Sequence, residues 1–564
     1  MTRSVPVGEV RPLGDRAFLI GAADATAART LAAALSTASD DGAEVVCGSA
    51  TVMVHVTDPG TELRSVQATA QSVLERRPAA SASENAAEPR RPLTIPCRFD
   101  GPDLNDVAAL AGCAPDDVAA LLTAQPLTVE VVGFSPGFAY LGGLPAQLER
   151  VPRRARPRPV VPAGSVAIAN GHAAVYPTAS PGGWNLVGRT GFPLFSPDRR
   201  PFAVLAPGDR VRFTVAGAGE TVEPPPVTAP PWSLPPGARP VLEVVAPGLR
   251  AVVQDGGRHA VAPVGVPGAG PADPVSFALA NGLAGNARGA GTLELTGGGA
   301  RLRCVGPCHV AVVGAAPDVR VDGTPAPAEQ LLPLLPGQVL EVGRQRGGCR
   351  SYLSVAGGFL GPEWFGSSAS DELTGLGAGP LVPGVRLQAG SWAPPLGDHL
   401  RDGCATELAP DAPVALRVLA GPHPERFGPD ALAQLADAVF VVASASNRVG
   451  LRLHADPSGS DRSGSDRPWR PAGGELDSQG VVTGTVQVPP DGDPVVLLPD
   501  HATLGGYPVL AVVVAADHGL LGQCAPGTAV RLVPTDPGAA DEARRVARRE
   551  LEHAVVGPYP LAVD

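Results

Sequence analysis

A stretch rich in glycine, proline and aromatic residues, VGFSPGFAYLGGLP at Val132–Pro145, is the first place where this chain could do chemistry. It holds too many glycines for a stable helix and too many prolines for an uninterrupted strand. Glycine lets the main chain approach a ligand closely and leaves backbone N–H groups available as donors. We therefore predict that Gly133, Phe134, Pro136 and Gly137 bind a small molecule.

Arginines, hydroxyl groups and an indole ring follow in the next part of the sequence. A guanidinium group matches a carboxylate or a phosphate as a planar fork. A serine hydroxyl can donate a hydrogen bond, and an indole ring can wall an apolar pocket. The candidate binding residues here are Arg153, Arg158, Ser165, Ser180, Gly183, Trp184 and Arg189. The alternative is that these segments are only tight turns of a barrel with arginines on its surface.

The charge composition excludes several classes of function. The 564 residues include 44 basic and 55 acidic side chains, so the net charge is −11 and nucleic acid or an anionic membrane is a poor partner. The chain contains no lysine, so every basic residue is arginine. Without lysine there can be no Walker A loop, no Schiff base and no biotin attached to this chain.

The cysteines do not indicate a metal site. Of the eight, only Cys304 and Cys308 lie close together, and no second pair completes a zinc site. We therefore expect no metal and mostly buried thiols. The beginning of the chain lacks the pattern of a signal peptide, and no apolar run is long enough to span a bilayer. These features predict a soluble, cytoplasmic protein.

The elements that must position the candidate residues are mainly short strands. The first 77 residues alternate strand and helix patterns, with a helix predicted over Asp24–Ser39. After Leu93, short apolar runs separated by Gly and Pro predict many strands and tight turns. The final segment, ADEARRVARRELEHAVV at Ala540–Val556, predicts a solvated terminal helix. Proline-rich compositions predict linkers at Arg77–Pro92 and Val222–Pro240.

One pattern occurs twice along the chain. SVAIANGHAAVYPTASPGGWNLVGRT is followed by APGDRVRF, and DGDPVVLLPDHATLGGYPVLAVV is followed by APGTAVRL. Each copy has a strand, a loop, a Gly-Gly-aromatic turn, an apolar strand and a Pro-Gly turn into a closing strand. Glycine suits the third position of a type II turn because φ is positive there. The repeat favours closed barrels over one open sheet.

Longer motifs resemble a known family. GFSPGFAYLGGL, PAGSVAIANG and YPTASPGGWNLVGRT are similar to the B subunit of the bacterial 5-oxoprolinase complex, which is also called kinase-inhibitor-like or allophanate hydrolase subunit 1. SVAGGF, SASNRVGLRL and LGGYPVLAVVVAADHGLLGQCAPG resemble the C subunit of that complex, or allophanate hydrolase subunit 2. The resemblance covers roughly residues 10–535 and indicates two subunits fused at the second proline-rich linker.

The resemblance implies a mainly β fold with an α+β N-terminal part. It consists of a small α/β domain and multiple cyclophilin-like β-barrel subdomains. The implied ranges are an α/β domain at 1–91, a barrel at 92–221, the linker at 222–240, two barrel subdomains at 241–400 and 401–535, and a helical tail at 536–564.

The resemblance also implies an activity. It is the ATP-dependent opening of the lactam of 5-oxo-L-proline to L-glutamate, together with a separate A subunit, with ATP bound by this chain or by that subunit. The domains further resemble the carboxyltransferase part of urea carboxylase, in which case biotin has to be presented by another protein. A third interpretation is a regulatory protein that inhibits a sensor histidine kinase. Whether the chain forms a homo-oligomer is left open.

Lactams and ureas are both planar amides that need donors aimed at the carbonyl oxygen. In the second half we predict catalytic roles for Asp255, Asp273, Asn447 and Asp500, although Asp273 could instead cap the helix that follows it. The predicted binding residues of this half are Arg448, Gly505, Gly506, Tyr507 and Gln523.

The chain departs from the family pattern at several positions. Leu122 stands where the family usually has histidine, and Ala269, Ala502 and Leu504 replace a serine, a glutamine and a threonine. If the usual residues act in the reaction, we expect slower turnover or an altered substrate. His172 and His501 lie in the two repeated units, where an exposed loop histidine is the simplest interpretation.

Overall fold

The structure is a computed structural model. It describes residues 5–38, 42–58, 60–76, 92–154, 156–217, 220–224, 227, 233–315, 317–391, 399–400, 405–409, 412–455, 467, 469–473 and 476–556. Strands account for 34% and helices for 20% of it. The predicted mainly β fold, with an α/β N-terminal part and barrel-like sheets, is confirmed.

The N-terminal part is an antiparallel sheet with two helices on one face. It comprises β1 (Val10–Pro12), β2 (Ala17–Gly21), α1 (Ala25–Ala38), β3 (Ala43–Cys47), β4 (Thr51–Val56) and α2 (Leu63–Arg76), with strand order β1-β2-β4-β3. Strand β2 is buried on both faces, because Phe18 and Ile20 pack with the helices whereas Leu19 packs against the rest of the chain. The Asp24 carboxylate accepts a 2.8 Å hydrogen bond from the Ala27 N–H group and so begins the predicted helix α1.

A first barrel-like sheet follows. Its elements are β5 (Leu93–Cys97), α3 (Leu104–Ala111), α4 (Pro115–Thr123), β6 (Leu127–Val132), β7 (Ala139–Gly142), α5 (Ala146–Glu149), β8 (Arg158–Val161), β9 (Ser165–Ala169), β10 (His172–Val175), β11 (Ser180–Gly182), β12 (Asn185–Arg189) and β13 (Arg210–Val215). The sheet order is β12-β9-β10-β7-β6-β13-β5, and β8 pairs with β11 beside it. A bridge between Arg98 and Arg189 brings the two edges of the sheet together.

The middle of the chain packs two sheets around one core. Its strands are β14 (Arg239–Pro247), β15 (Arg250–Gln254), β16 (Thr292–Thr296), β17 (Ala300–Cys304), β18 (Cys308–Gly314), β19 (Val319–Val321), β20 (Thr324–Pro325), β21 (Leu331–Leu334), β22 (Val339–Val342), β23 (Arg350–Val355), β24 (Phe359–Leu360) and β25 (Arg386–Ala389). The sheet orders are β20-β19-β22-β17-β14-β25-β24 and β15-β16-β23-β18-β21. A 3-10 turn spans Ala262–Val264, and helix α6 (Pro274–Leu283) packs on β18 and β23.

The last sheet closes into a barrel. After β26 (His399–Leu400), its elements are β27 (Val414–Ala420), α7 (Ala431–Asp437), β28 (Phe440–Val442), β29 (Gly450–Ala455), β30 (Gln479–Gly480), β31 (Thr485–Gln487), β32 (Val495–Leu497), β33 (Leu504–Gly505), β34 (Val509–Val513), α8 (His518–Gln523) and β35 (Ala529–Pro534). The barrel order is β27-β34-β31-β32-β29-β28-β35, and β30 pairs with β33. Helix α9 (Pro537–His553) leads to β36 (Val555–Val556), which pairs with β26. The predicted terminal helix is therefore present.

The two barrels share one topology, strand for strand. If β5, β6, β7, β9, β10, β12 and β13 are replaced by β27, β28, β29, β31, β32, β34 and β35, the order of the first sheet becomes the order of the last. In both, the closing strand runs parallel to the opening strand. The predicted Pro-Gly turns precede these closing strands, with φ of 98° at Gly208 and 88° at Gly527. The sequence repeat is therefore a structural repeat.

The turn between β6 and β7 packs directly on the second half of the chain. The Gly137 N–H group donates a 2.9 Å hydrogen bond to the Val264 carbonyl. A Cβ atom on Gly265 would lie 2.2 Å from the Ser135 carbonyl oxygen, and one on Gly133 would lie within 2.3 Å of the Leu504 side chain. The glycines here allow two halves of the chain to meet, whereas we expected the bare main chain to approach a ligand.

The first predicted linker falls almost entirely outside the described residues, and the second does so in part. Residues 77–91, 225–226 and 228–232 are not described, and β14 already begins at Arg239 within the second predicted linker. The domain boundaries stay a prediction.

Acidification is expected to destabilise the last barrel through His423. This fully buried imidazole accepts a 3.0 Å hydrogen bond from the Val509 N–H group at Nδ1 and donates from Nε2 to Gln479 Oε1 at 3.1 Å. Burial lowers its pKa to about 4, against the opposing effect of Gln479. Because the folded pKa lies below the unfolded value, the stability contribution is complete above about pH 6.5 and falls by about 3 kcal/mol by about pH 4.

The check is urea unfolding of the wild type and of His423→Gln between about pH 7 and pH 4. The variant should start less stable but should show a shallower pH dependence. Equal slopes for both proteins would contradict this assignment.

Candidate functional site

A cavity of about 500 Å³ lies where the N-terminal sheet, the middle of the chain and the last barrel meet. Its walls include Asp15 and His55 from the N-terminal sheet, Arg288 from the segment after α6, and His501 from the loop after β32. Helix α9 contributes four residues that share one helix face: Arg544, Ala547, Arg548 and Leu551. The volume is typical of a site for a small molecule.

Carboxylates of the N-terminal sheet tie this wall to the second half. Asp15 Oδ1 accepts a 3.0 Å hydrogen bond from the Ala515 N–H group, and its Oδ2 lies 4.0 Å from Arg544 Nε. Glu44 Oε1 accepts from the Ala262 N–H group at 2.8 Å. Burial raises the pKa of Glu44, and the backbone hydrogen bonds oppose that rise. These contacts hold the cavity walls together.

Several cavity arginines already have partners. Arg258 pairs with Asp371 at 2.9 Å, and both side chains are fully buried. Arg544 pairs with Asp541 at 3.0 Å. Arg548 pairs with Glu552, one helical turn further along α9, at 3.0 Å. The positive charge of these side chains is therefore locally compensated.

Arg288 differs from the other arginines that line the cavity. Its Nε and one terminal nitrogen are buried and have no hydrogen-bond partner in the part of the chain that the structure describes. No described carboxylate pairs with it either. A buried guanidinium donor without an acceptor costs free energy. Arg288 also lines the cavity, so its side chain is a candidate for binding an anion there.

Three half-buried histidines complete the polar wall. Burial lowers the pKa of His55 to about 3, and Arg16 and the neighbouring histidines act in the same direction. Burial also lowers the pKa of His501 and of His518. Because burial disfavours the protonated form, all three imidazoles are neutral at neutral pH.

Two of the predicted residues of the second half form a buried ion pair beside the cavity. Asp500 Oδ1 and Oδ2 each accept a 2.9 Å hydrogen bond from Arg448, which also pairs with Glu294 at 2.6 Å. Arg350 contacts the same glutamate at 3.3 Å. Burial would raise the pKa of Glu294, but the two guanidinium groups outweigh it and hold the pKa at about 2. This network joins β16 and β23 to the last barrel.

Asp273 caps helix α6, as the alternative interpretation foresaw. Its Oδ1 accepts from the N–H groups of Val275 and Ser276 at 3.1 Å, and its Oδ2 accepts from Gln523 Nε2 at 2.8 Å. Gln523 Oε1 in turn accepts from the Arg350 N–H group at 2.9 Å. Both predicted residues are fully occupied by structural contacts.

The other predicted residues of the second half lie in or beside turns, where their side chains make local hydrogen bonds or their backbone forms the turn. Asp255 accepts hydrogen bonds from the Ser367 hydroxyl at 2.5 Å and from the Ser368 N–H group at 2.6 Å. Asn447 is exposed, and its side chain accepts from the Val449 N–H group at 3.0 Å. The half-buried Gly505 ends β33, and the half-buried Gly506 and Tyr507 lie in the turn between β33 and β34.

The predicted binding residues of the first half lie together in the first barrel. Arg158 pairs with Asp103 at 2.8 Å, and Arg153 is half-buried nearby in sequence. Ser165 Oγ donates a 2.7 Å hydrogen bond to the Pro162 carbonyl oxygen. Arg189 forms a solvent-exposed ion pair with Asp100 at 2.8 Å. Ser180 is buried on β11, and the Gly183 carbonyl accepts from a backbone N–H group at 2.8 Å.

The aromatic rings of the first barrel pack on one another. Phe138 contacts Phe134, Tyr140, Tyr176 and Trp184 edge to face, at centroid distances of 5.1–5.6 Å. Pro136 is buried beside them. None of the residues predicted as catalytic or binding appears among those that line the cavity. Their roles in chemistry stay predictions.

The positions that depart from the family pattern lie in three places: the core of the first barrel, the cavity and its neighbouring loop, and the contact between the two halves. Leu122 is buried in the core of the first barrel, on α4. Ala269 lines the cavity, and the Ala502 carbonyl accepts a 2.8 Å hydrogen bond from His501 Nδ1. Leu504 packs against Gly133 in the contact between the halves.

Sequence reasoning missed most of the residues that line the cavity. Arg288 is a single arginine in the glycine-rich segment NARGAG, which is a weak signal. Asp15 and His55 lie in a part of the chain that carried no functional motif. The apolar and basic residues of α9 repeat at helical spacing, which could have indicated a face that packs on something.

The described residues were also searched for metal sites and for membrane-spanning helices. Within them, no group of three or more His, Cys, Asp or Glu side chains is arranged to hold a metal ion. No helix among these residues has the length and apolar character needed to cross a bilayer.

Comparisons with known proteins cover nearly the whole chain. The family described as carboxyltransferase domain, subdomain C and D, matches residues 8–205, and the one described as subdomain A and B matches residues 264–534. The crystal structure of TTHA0988 shares 33% identity with a TM-score of 0.77, and the match covers 92% of this chain and 100% of that one.

Named relatives match the two halves separately. The 5-oxoprolinase B subunit of Escherichia coli O157:H7 is 44% identical over 27% of this chain and 71% of that protein. The 5-oxoprolinase C subunit of Escherichia coli strain K12 is 33% identical over 55% of this chain and 97% of that protein. A putative urea carboxylase of Emericella nidulans is 31% identical over 56% of this chain but only 25% of that protein. The chain therefore belongs to the carboxyltransferase-domain family that includes the B and C subunits of 5-oxoprolinase, and it joins regions similar to both in one polypeptide.

Proposed function

We propose that this chain is the fused B and C component of an ATP-dependent 5-oxoprolinase. With a separate A subunit it opens the lactam of 5-oxo-L-proline to L-glutamate. The cavity between the N-terminal sheet and the last barrel is the proposed substrate site. The observation that carries this proposal is Arg288, which lines that cavity and whose Nε and one terminal nitrogen have no hydrogen-bond partner among the residues that the structure describes.

The chemistry of 5-oxoproline suits this cavity. The molecule is a flat lactam that bears one carboxylate, and a guanidinium group binds a carboxylate through charge-assisted hydrogen bonds. The remaining wall includes apolar side chains such as Leu13, Met53 and Val512, against which the ring can pack. The neutral histidines offer acceptors for the protons that hydrolysis moves.

A biotin-dependent carboxyltransferase is the second candidate, and the carboxyltransferase description of the matched family favours it. Urea has no carboxylate, so it would offer Arg288 only a neutral carbonyl oxygen and no opposite charge. The absence of lysine means that carboxybiotin has to arrive on another protein. We therefore place this reaction second.

Arg288→Gln is expected to raise KM for 5-oxoproline by about 10- to 100-fold while kcat changes much less, because the lost interaction binds the carboxylate in the ground state and the transition state alike. The assay mixes the chain with its A subunit, ATP and 5-oxoproline and measures glutamate. Arg531→Gln, at an exposed position on β35, is the matched control.

Two results would contradict the proposal. An unchanged KM in Arg288→Gln would show that the carboxylate binds elsewhere. A wild-type mixture that makes no glutamate, yet accepts a carboxyl group from a biotin carrier protein, would establish the carboxyltransferase reaction instead.

A further inference from the structure

His501 occupies a position that sequence reasoning assigned to an exposed loop. It lies between β32 and β34, is half-buried and lines the cavity. The next residue but one, Thr503, is 3% exposed, lines the same cavity and has a buried hydroxyl without a described partner. This loop therefore presents polar side chains to the cavity instead of to solvent.

The local hydrogen bond fixes the tautomer of His501. Nδ1 lies 2.8 Å from the Ala502 carbonyl oxygen. A carbonyl oxygen only accepts, so the proton of the neutral ring lies on Nδ1. Nε2 then carries the lone pair, and no partner for it exists among the described residues. The fixed backbone carbonyl orients the ring in the way that a supporting group orients a catalytic base.

We propose that His501 is the general base of this cavity and that its Nε2 accepts a proton from the water that attacks the substrate carbonyl carbon. This inference rests on the proposed 5-oxoprolinase function. It assigns a residue to a step for which the predicted aspartates are unsuitable. Asp273 and Asp500 are both held by several hydrogen bonds, whereas Nε2 of His501 is available.

The proposed step begins after ATP has phosphorylated the lactam oxygen. The water oxygen bonds to the carbonyl carbon, and one water proton moves to Nε2 and then to the ring nitrogen. The C–N bond breaks as the second proton reaches that nitrogen, which leaves as the amine. The product is γ-glutamyl phosphate, and a second water converts it to glutamate and phosphate.

The surrounding charges keep His501 neutral at the start of the step. Burial lowers its pKa, and the Ala502 carbonyl and Asp500 oppose that shift. His55 lies close enough that protonation of one imidazole disfavours protonation of the other. The remaining titratable or charged groups that act on this pair are Arg16, His259 and His518. Wild-type kcat/KM should therefore fall on the acid side, with a midpoint lower than that of an ordinary imidazole because the pKa of His501 is lowered.

The test uses the full chain with its A subunit, ATP and 5-oxoproline. His501→Gln should lower kcat by about 100-fold and change KM by less than about threefold, because the substrate still binds. The variant should also lose the acid limb of the pH profile, and its unfolding midpoint should match the wild type. His172→Gln, in the corresponding repeat of the first barrel, should keep wild-type kinetics.

An active wild type with unchanged kcat in His501→Gln overturns the role of His501 and leaves the proposed function standing. A variant that retains the acid limb assigns that limb to another group and also overturns it. A wild-type mixture that makes no glutamate overturns both.

Discussion

Arg448→Met is expected to lower the free energy of unfolding by about 3–5 kcal/mol, because it leaves buried carboxylates without their partner. The Arg448 side chain is 3% exposed, and those of Asp500 and Glu294 are fully buried. Arg448 makes a two-pronged contact with Asp500 and a third hydrogen bond to Glu294. Methionine fills a similar length but offers none of these donors.

The measurement is urea unfolding of the wild type, Arg448→Met, Asp500→Asn and the double variant. Because the two side chains share one interaction, the double variant should lose less stability than the sum of the single variants. Arg452→Met, at an exposed position on β29, should change stability by less than about 0.5 kcal/mol. A loss below about 1 kcal/mol in Arg448→Met would show that the network is not buried as described.

Gly265→Ala is expected to lower stability by about 2–4 kcal/mol by separating the two halves of the chain. Its φ of 83° lies in the left-handed region, and the new Cβ would lie 2.2 Å from the Ser135 carbonyl oxygen. That oxygen belongs to the main chain, so a side-chain rotation cannot relieve the clash. The turn would have to withdraw from the 3-10 turn at Ala262–Val264.

Gly171→Ala provides the matched control for this prediction. Gly171 has the same φ of 83°, in the hairpin between β9 and β10, but nothing lies within 4 Å of its Cβ position. Its loss of about 1 kcal/mol therefore measures backbone strain alone. Equal losses in the two variants would mean that the contact between the halves contributes nothing. Because Ala262 also lines the cavity, Gly265→Ala should weaken the proposed 5-oxoprolinase activity as well.

The repeated barrels could be predicted from local sequence. A Pro-Gly turn imposes a positive φ just before each closing strand, and the alternation of apolar runs with such turns defines each strand. Asp273 before the apolar run of α6 likewise matched the signature of a helix cap. These features depend on a few neighbouring residues, so the sequence reports them directly.

The position of the cavity could not be predicted in the same way. Asp15, Arg288, His501 and Arg544 meet only because four separate parts of the fold pack together. Their types alone did not distinguish them from surface residues. The glycines of the VGFSPGFAYLGGLP stretch are ambiguous for the same reason, since close approach to another main chain and close approach to a ligand both need glycine.

The short strands, the tight turns, the presence of two repeated barrel units and the family membership can be obtained from the amino-acid sequence, because they follow from local patterns or from long motifs. The strand order within the barrels came from the structure. Which charged groups lack partners depends instead on the folded arrangement of the chain. Arg448 and Arg288 are the same residue type, yet two buried carboxylates neutralise Arg448. Arg288 lines the cavity, and two of its buried nitrogens have no acceptor among the described residues. The difference lies in burial and in the distance to an acceptor, and both arise only when distant segments pack.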